Sequence, residues 1–362
     1  MTEPVGKTLP APFSLDPWLL PWFERARRDL PWRGTRDPYH IWVSEVMLQQ
    51  TRVDTVIPYY HRFIARFPSM AEFAKAPLDD VLKMWEGLGY YARARNFHRA
   101  VKTLVAEGRG VPDALDAMLA LPGVGRYTAG AVLSIAFDRR LPVLDGNVIR
   151  VLTRLTAEPA DVRQTATVER LWMLAERLVG EHASLHNQAL MELGATVCKP
   201  HEPACGACPL ETLCAARARG RSTEYPRKSK RAPLPHHDAA VAVVRDPQGR
   251  LLLARRAARG LLGGLWEFPG DRPREGETLH HACARGTLEG AGVRIRVGRA
   301  LTTVKHAFTH FKLTLHAFDA EEIPGDAAAR GGVYDEVRWV APDELERHAL
   351  PRAHRRILEG VS

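Results

Sequence analysis

Four cysteines stand close together in the middle of the chain, and they are the residues best suited to bind a metal. Cys198, Cys205, Cys208 and Cys214 are spaced C-x6-C-x2-C-x5-C, and a fifth, Cys283, stands apart. Thiols so few and so clustered do not form the disulfide framework of a secreted domain. Four thiolates at this spacing suit either a zinc ion or an iron–sulfur cube. The spacing therefore predicts a metal site and leaves the choice between these two open.

A carboxylate within an apolar helix is the first candidate for acid–base chemistry. Asp37 followed by Pro38 is a favourable helix start, and the predicted helix places Glu45 on the same face as Ile41 and Leu48. A carboxyl group among large apolar side chains keeps its proton to higher pH, as a general acid at neutral pH requires. The alternative is a glutamate at the rim of a core stripe, which position alone favours.

A second carboxylate, Asp145, precedes Gly146 and Asn147 at the start of another helical pattern. The simpler interpretation is a structural one, because aspartate is a favourable N-cap. The two roles are compatible, since a carboxylate fixed by backbone donors stays ionised and can face a developing cation.

Two glycine turns connect helical segments in ways that suit nucleic-acid contact. Gly123 and Gly125 can adopt positive φ and leave backbone NH groups at a helix start free to hold a phosphate. Gly87 and Gly89 lead into Tyr90 and a basic run suited to stacking and phosphate contact. The alternatives are an ordinary connection between antiparallel helices and a solvated helix face.

The charge of the chain favours a polyanionic partner. Its 362 residues carry a formal net charge of +9 with a pI near 9.5, for which nucleic acid is the leading explanation. The apolar stretches are only a few residues long, whereas a membrane span needs roughly 20, so we expect no membrane association. Residues 1–12 lack the pattern of a secretory signal, and we expect the protein in the cytoplasm, associated with the nucleoid.

These candidates must be positioned by more than one domain, because the chain is about twice the typical domain length. From residue 15 to about 218 the apolar residues recur at helical spacing, which predicts an all-α domain over 1–218. Residues 219–236 form a basic, proline-containing linker. Residues 237–362 mix strand and helix patterns and predict an α+β domain. The clearest patterns there are strands at 239–244, 251–253 and 311–316, and helices at 279–288, 342–348 and 352–358.

Taken together, several segments resemble one protein family. They are WVSEVMLQQT at 42–51, WEGLGYY at 85–91, LPGVGRYT at 121–128, DGN at 145–147 and the four-cysteine spacing. In combination they are similar to the MutY adenine DNA glycosylases of the helix-hairpin-helix superfamily. The resemblance implies a multidomain fold: an all-α helix-hairpin-helix domain with a cluster loop, and an α+β Nudix-like carboxy-terminal domain. It also implies that the cysteines hold a 4Fe-4S cluster, and that the substrate is double-stranded DNA with adenine opposite 8-oxoguanine or guanine.

The resemblance also implies roles for individual residues. Glu45 would protonate adenine at N7, Asp145 would stabilise the sugar cation, and Asn147 and Tyr127 would orient these groups. DNA contacts are expected at eight positions: Gln50, Thr51, Tyr90, Gly123, Gly125, Phe308, Thr309 and His310. The last three belong to a lesion-reading loop, 306–310, in which Thr309 replaces the more usual serine and keeps its hydroxyl group. A monomer is expected because the lesion is asymmetric, and the linker offers a surface for contacts with other repair proteins.

Three other functions are weighed against this one. A bifunctional endonuclease III-like glycosylase and lyase would have a lysine where Tyr127 stands, and that amine would form a Schiff base. A nucleotide hydrolase would need two metal-binding glutamates where Gly286 and Gly290 stand in the remnant Nudix box, 270–293. A catalytically inactive mismatch-binding protein would lack Glu45 or Asp145, and both are present.

Overall fold

The structure is a computed structural model that describes residues 13–230, 232–324 and 332–361. The expectation for residues 1–12, that they are not a secretory signal, lies outside the described residues, as does Arg231 of the predicted linker. In the described part of the chain, none of the helices combines the length and the apolar character needed to cross a membrane.

The chain divides into two compact units. One consists of Met1–Phe73 with Arg99–Arg231, and we call it the helical unit; the other consists of Ala74–His98 with Ala232–Ser362, and we call it the C-terminal unit. The segment Ala74–His98 therefore groups with the C-terminal residues although it lies in the helical half of the sequence. The domain boundaries 1–218, 219–236 and 237–362 stay a prediction.

The predicted all-α character of the first half is confirmed. The helices are α1 (Asp16–Ala26), α2 (Pro38–Leu48), α3 (Val53–Arg66), α4 (Met70–Lys75), α5 (Leu78–Met84), α6 (Ala92–Ala106), α7 (Leu115–Leu119), α8 (Arg126–Phe137), α9 (Gly146–Thr156), α10 (Thr165–Leu178), α11 (Ala183–Thr196) and α12 (Ala215–Ala218). A buried cluster of the helical unit draws on α1, α8, α9, α10 and α11. Apolar side chains at helical spacing on these helices form one continuous core.

Helix α2 begins where the sequence predicts. The Asp37 carboxylate accepts hydrogen bonds from the backbone NH groups of Tyr39 (2.8 Å) and His40 (3.3 Å), and Pro38 occupies the first helical position. These contacts satisfy NH groups that have no partner within the helix. The helix packs against α8, and residues 41–47 are all buried. Glu45 is one of these buried residues, so its helix carries a carboxyl group into the core.

Two close backbone approaches hold α8, α9 and α11 together. A Cβ atom on Gly130 of α8 would lie 2.3 Å from the carbonyl oxygen of Pro142, and one on Gly194 of α11 would lie 2.6 Å from Cβ of Asn147. Only a residue without a side chain fits at such distances. The segment before α9, which ends at Asp145, is therefore held close to the helix that carries Tyr127.

The predicted α+β character of the second half is also confirmed. Its elements are β1 (His236–Val244), β2 (Leu251–Arg256), β3 (Trp266–Glu267), β4 (Gly270–Asp271), α13 (Leu279–Ala291), β5 (Ile295–Ala307), β6 (Lys312–Glu322), β7 (Tyr334–Val340) and α14 (Arg352–Val361). One sheet has the order β4-β1-β6-β5, with β1 and β6 parallel, and the other has the antiparallel order β3-β2-β7. Buried residues from both sheets and α14 form a core.

Two details of this half differ from the prediction. The segment predicted as a helix at 342–348 is a short 3-10 helix, Pro342–Arg347, because Pro342 sets a helix start and the segment ends before an α-helix is established. Thr314 is only 5% exposed. The alternation of apolar Phe311, Leu313 and Leu315 with Lys312, Thr314 and His316 instead predicts that Thr314 lies on the solvent side of a half-buried strand. Thr314 is buried because β6 is a central strand, and the imidazole of His236 lies 2.7 Å from the Thr314 hydroxyl.

The segment predicted as a linker lies partly against the helical unit. Tyr225 is buried in a small cluster with Ala157 and Ala216, and its carbonyl oxygen accepts a hydrogen bond from Nε of Arg154 (3.1 Å). Further on, the NH group of Ser229 donates to the Asp161 carboxylate (2.9 Å). These contacts give residues 225–229 a defined path along the surface of the helical unit.

Candidate active site and cysteine site

Glu45 lies in an environment that favours its protonated form. It is 3% exposed, and burial raises the pKa of its carboxyl group to about 7. The hydroxyl of Tyr127 donates a hydrogen bond to Oε2 (2.7 Å) and lowers this pKa, as does the charge of Arg33, whereas Asp145 raises it. Because burial outweighs the two opposing influences, the carboxyl group can hold a proton near neutral pH.

Tyr127 joins the two carboxyl groups into one site. It lies in the first turn of α8, and its hydroxyl contacts Sδ of Met191 on α11 (3.5 Å) besides donating to Glu45. Burial raises the pKa of the Tyr127 phenol well above its usual range, and the negative charges of Glu45 and Asp145 add to the rise. The phenol is therefore a neutral donor to Glu45, within electrostatic range of Asp145.

Asp145 is the N-cap of α9, as the sequence predicts. Its Oδ1 accepts a hydrogen bond from the NH group of Val148 (2.7 Å), and its Oδ2 accepts one from Nδ2 of Asn147 (2.8 Å). Burial raises the pKa of the Asp145 carboxyl group, and these donors and the charge of Arg150 offset the rise in part. The hydrogen bonds fix the orientation of both oxygen atoms.

The side chain of Asn147 is itself held in place by a hydrogen bond from a buried arginine. Arg150 donates from Nη2 to Oδ1 of Asn147 (2.9 Å) and to the carbonyl oxygen of Gly194 (2.6 Å), and from Nε to the carbonyl oxygen of Cys198 (2.6 Å). The chain of contacts Asp145–Asn147–Arg150–Cys198 thus links the carboxylate to the first cysteine of the four. Sequence patterns did not identify Arg150, because its partners are mostly backbone carbonyl groups.

A buried ion pair near the site was also missed from the sequence. Glu192 of α11 is 1% exposed and accepts hydrogen bonds from Arg28 (2.8 and 2.9 Å) and from Arg33 (2.8 Å). Burial alone would raise the pKa of Glu192, but the two guanidinium groups lower it to about 2. The same signal that marked Glu45, a carboxylate among apolar residues of a helix, was available at Leu190, Met191 and Leu193. This pair fixes Arg33, whose charge acts on Glu45.

The four clustered cysteines lie around one cavity. Cys198, Cys205, Cys208 and Cys214 are free thiols, and all four line a small cavity of about 30 Å³ in the helical unit. Burial is the main reason that the pKa of Cys208 is raised to about 12, and the other three sulfur atoms contribute to the rise, so the four thiols interact electrostatically. Thiolates in this position need a positive charge among them, which a bound metal would supply.

Hydrogen-bonding groups lie beside two of the cysteines. Within the described residues, no three His, Cys, Asp or Glu side chains converge on a position for one metal ion. Nη1 of Arg154 lies 3.2 Å from Sγ of Cys198 and the hydroxyl of Ser222 lies 3.7 Å from Sγ of Cys205. The donor set fits a thiolate-bound centre with nearby hydrogen-bond donors.

The predicted DNA-contact residues of the helical unit lie on two turns. Gln50 is exposed between α2 and α3 with φ of 57°, and the NH group of Thr51 donates to the carbonyl oxygen of Leu48 (3.2 Å). Gly123 has φ of 77°, as expected for a tight turn. Gly125 does not have positive φ: it is extended (φ −101°) because it is the N-cap of α8. No atom lies within 4 Å of the position of a Gly125 Cβ, so a ligand can approach its backbone closely.

The other predicted DNA contacts lie in the C-terminal unit. Phe308, Thr309 and His310 form the turn between β5 and β6, where the Phe308 ring stacks on Phe311 (4.6 Å between centroids) and Thr309 and His310 are exposed. Tyr90, of the segment Ala74–His98, is 44% exposed, and its hydroxyl lies 3.0 Å from that of Thr309. The structure thus brings Tyr90 and Thr309 together.

The remnant Nudix box has become an ion network and a packing contact. Arg285 donates two hydrogen bonds to Glu277 (2.8 and 2.9 Å) and also pairs with Asp271 and Glu289. A Cβ on Gly286 would lie 2.5 Å from Cβ of Asp271, and one on Gly290 would lie 2.7 Å from the Tyr334 ring. The positions of the two expected glutamates are therefore filled by neighbouring atoms.

The helical unit and its site define a base excision DNA glycosylase of the helix-hairpin-helix class, joined to a Nudix-like domain. Residues 43–177 match the family described as HhH-GPD superfamily base excision DNA repair protein, and residues 240–360 match the NUDIX domain. The adenine DNA glycosylase of Mus musculus is 36% identical and the alignment covers 94% of this chain and 76% of the relative. The chain belongs to the adenine DNA glycosylase family.

Other comparisons agree with this assignment. The adenine DNA glycosylase of Homo sapiens is 35% identical over 94% of this chain and 72% of its own length. That of Buchnera aphidicola subsp. Acyrthosiphon pisum is 32% identical over 82% of this chain and 84% of its own. Among solved structures, a thermostable thymine-DNA glycosylase is 31% identical, covers 56% of this chain and 94% of its own, and has a TM-score of 0.51. The predicted family and the predicted fold class are confirmed.

Proposed function

We propose that the protein releases adenine from duplex DNA where adenine is mispaired with 8-oxoguanine or guanine. The observation that supports this most directly is the arrangement of Glu45, Tyr127 and Asp145. Two carboxyl groups interact with one buried phenol, and the pKa of one of them, Glu45, is about 7. Relatives named adenine DNA glycosylases align with most of the chain, which supports adenine as the base.

The chemistry of N-glycosidic cleavage fits these two carboxyl groups. An adenine inside a duplex is out of reach and must first be flipped into a pocket, at a cost of a few kcal/mol. Glu45 then donates its proton to N7 of the base, which makes the base a better leaving group. Asp145, fixed by Val148 and Asn147, faces the cationic sugar and stabilises it. Water completes the hydrolysis, and the two environments divide the acid and anion roles between Glu45 and Asp145.

The protein acts as a glycosylase without lyase activity. A lyase of this superfamily needs an amine to form a Schiff base with the sugar, and position 127 carries a phenol instead. The Tyr127 hydroxyl is already engaged with Glu45 (2.7 Å), where it orients the acid. Strand cleavage therefore requires a separate step, such as treatment with alkali.

Recognition of 8-oxoguanine is the task of the C-terminal unit. Thr309 and His310 are exposed at the tip of the β5–β6 turn, and Thr309 keeps a hydroxyl group that can donate a hydrogen bond. Metal-dependent nucleotide hydrolysis is not expected of this unit, since Arg285 binds the remaining carboxylates and glycines stand at positions 286 and 290. Gln50, Thr51, Gly123 and Gly125 are the proposed contacts of the helical unit with DNA.

Cys198, Cys205, Cys208 and Cys214 would hold a 4Fe-4S cluster. When bound, the cluster supplies four metal–thiolate bonds that tie the loop 198–214 to the helical unit. The C-x6-C-x2-C-x5-C spacing, which resembles that of the MutY adenine DNA glycosylases, supports a cube over zinc. Visible absorbance and iron content of the purified protein test this, because zinc is colourless; a colourless, fully active protein with stoichiometric zinc would contradict it.

The protein is proposed to act as a monomer, because its substrate is one asymmetric lesion in DNA. It is proposed to act in the cytoplasm at the nucleoid, where that DNA lies. The basic segment 219–236 is a surface on which other repair proteins can bind. Sedimentation of the protein with and without a lesion duplex tests the monomer.

One assay tests the function as a whole. Adenine release is measured from duplexes that carry 8-oxoguanine, guanine or thymine opposite adenine, and strand breaks are scored before and after alkali. We expect release opposite 8-oxoguanine and guanine, with breaks only after alkali. Breaks before alkali would support the bifunctional alternative. Binding of the mispair without base release would support the inactive mismatch-binding protein.

A further inference from the structure

Tyr90 lies on a turn that neighbouring contacts must hold in place. The φ angles of Gly87, Gly89 and Tyr90 are 97°, 72° and 50°, so three of four successive residues are in the left-handed region. Glycine adopts this conformation readily, but a tyrosine does so at a cost. The Tyr90 hydroxyl nevertheless lies 3.0 Å from the hydroxyl of Thr309 on the lesion-reading turn. Something must therefore fix the turn against the C-terminal residues.

Contacts within the segment fix the shape of the turn. Nε1 of Trp85 donates to the carbonyl oxygen of Gly89 (3.1 Å), and Nη2 of Arg93 donates to the same oxygen (3.1 Å). The Arg93 guanidinium also lies over the Tyr90 ring, 5.4 Å from its centroid. All of these groups belong to the segment Ala74–His98, so they do not determine where the turn lies relative to Thr309.

Glu86, which directly precedes the turn, supplies one such connection, and Arg95, which donates to the carbonyl oxygen of Gly263 (2.7 Å), supplies another beyond the turn. Its carboxylate binds Arg355 of α14 through two contacts, Nε to Oε1 (2.9 Å) and Nη2 to Oε2 (3.2 Å), and both side chains are only 16% exposed. The NH group of Leu350 adds a third contact to Oε1 (3.4 Å). Paired parallel hydrogen bonds between a guanidinium and a carboxylate fix orientation as well as distance. The residue before Gly87 is thus fastened to α14.

Helix α14 also lies beside the lesion-reading turn. It packs on β5, the strand that leads into residues 306–310. Burial lowers the pKa of His306, and the charges of Arg352 and Arg356 on α14 lower it further, so both arginines lie within electrostatic range of the start of that turn. One helix therefore contacts Glu86 and adjoins the loop that holds Thr309.

We infer that Glu86 and Arg355 are positioning residues for lesion recognition. Their paired contact holds residues 87–90 where the Tyr90 hydroxyl meets Thr309, and this sets the preference for 8-oxoguanine over guanine opposite adenine. The inference rests on the proposed function, because the preference can be measured only on those two mispairs. It adds two residues that do not themselves contact the base or the sugar.

The test is a mutant cycle read out as a ratio of rates. Single-turnover adenine release from the 8-oxoguanine and guanine duplexes is measured for Glu86→Gln, Arg355→Gln, their double variant, Tyr90→Phe and Tyr90→Phe/Glu86→Gln. We expect each substitution at 86 or 355 to lower the ratio of the two rates by roughly five- to tenfold, the effect of about one hydrogen bond. The rate opposite guanine should stay near that of the unaltered protein. The double variant should lose no more than either single variant, and Glu86→Gln should add nothing when Tyr90 is phenylalanine.

Asp79→Asn is the matched control. Asp79 pairs with Arg255 (3.3 Å) and so joins the same segment to the same unit, but it lies at the start of α5, away from the turn. The ratio of the rates on the 8-oxoguanine and guanine duplexes should be unchanged in Asp79→Asn. An equal fall for Asp79→Asn, additive losses in the cycle, an unchanged ratio, or equal slowing of both substrates by Glu86→Gln and Arg355→Gln would each overturn the inference. If the unaltered protein released no adenine from either duplex, the proposed function would fail instead.

Discussion

The two units each hold a group of acidic side chains, and the groups differ in what surrounds them. In the helical unit, burial raises the pKa of Glu45 to about 7. In the C-terminal unit, hydrogen bonds from Arg285 lower the pKa of Glu277 to about 2. The side chain is the same, so the difference comes from desolvation in one place and from a guanidinium partner in the other. Only the first arrangement can deliver a proton at neutral pH.

The two units also differ in how much free space lies beside these acidic groups. In the C-terminal unit the atoms of Asp271 and Tyr334 fill the places where side chains at positions 286 and 290 would begin. In the helical unit the position of a Gly125 Cβ has no atom within 4 Å, and Tyr127 stands two residues further on. The comparison indicates that the backbone near Tyr127 is open to a ligand, whereas positions 286 and 290 of the C-terminal unit are closed by packing.

The largest expected effect comes from Glu45→Gln. An amide of the same shape cannot donate the proton, so adenine release in single turnover should fall by about 10²- to 10⁴-fold. Affinity for a lesion duplex, measured by fluorescence anisotropy, should be retained because Glu45 is buried. Near-normal release would show that another group donates the proton. The difference in pKa between Glu45 and Glu277 would then not explain which unit carries out catalysis.

Asp145→Asn should have the next largest effect. The substitution removes the negative charge proposed to face the sugar but leaves an oxygen that can still cap α9, so we expect a fall of about 10²- to 10³-fold in single-turnover release with the fold intact. Asp37→Asn is the matched control, because Asp37 caps α2 in the same way (2.8 Å to the NH group of Tyr39). If both substitutions slowed release equally, capping rather than charge would explain the result.

Local rules predicted much of this site from the sequence. The N-caps Asp37 and Asp145 follow from residue types within one helical turn. The apolar neighbours of Glu45 placed it on the core side of its helix, although position alone favoured the rim of the core rather than the full burial observed. Gly125 shows a limit of such rules: a glycine can take positive φ, but the start of α8 requires an extended residue there. Similarly, the pattern at 342–348 predicts a helix but does not distinguish an α-helix from the 3-10 helix found at Pro342–Arg347.

Contacts between distant residues were out of reach for these rules. Glu192 binds Arg28 across 164 positions, and Tyr90 meets Thr309 across 219. The grouping of Ala74–His98 with the C-terminal residues likewise depends on packing that no single segment specifies. Sequence patterns give the elements and their faces, whereas the pairing of buried charges depends on how those elements come together.

Gly286→Ala tests the closed space of the C-terminal unit and should have a moderate effect. The added methyl group would meet Asp271 and the backbone of Gly270 at 2.5 Å, so the free energy of unfolding should fall by about 1–3 kcal/mol. Chemical denaturation measures the change. Gly360→Ala is the control, because nothing lies within 4 Å of that position in α14 and alanine is the better helix former. An unchanged stability for Gly286→Ala would mean that the remnant box still has room for a glutamate.

Tyr127→Phe should have the smallest effect of the four, and it concerns the pH dependence of release. The active form of Glu45 is protonated, so the rate should decline as the pH rises through about 7. The hydrogen bond from Tyr127 lowers the pKa of Glu45, and its loss should raise that pKa and move the decline to higher pH by about one unit. Single-turnover rates between pH 5 and 9, normalised to each variant's own maximum, give the two profiles. A decline that stays in place would show that the Tyr127 hydrogen bond does not influence the proton affinity of Glu45, and one that moves to lower pH would show that this bond favours the protonated acid.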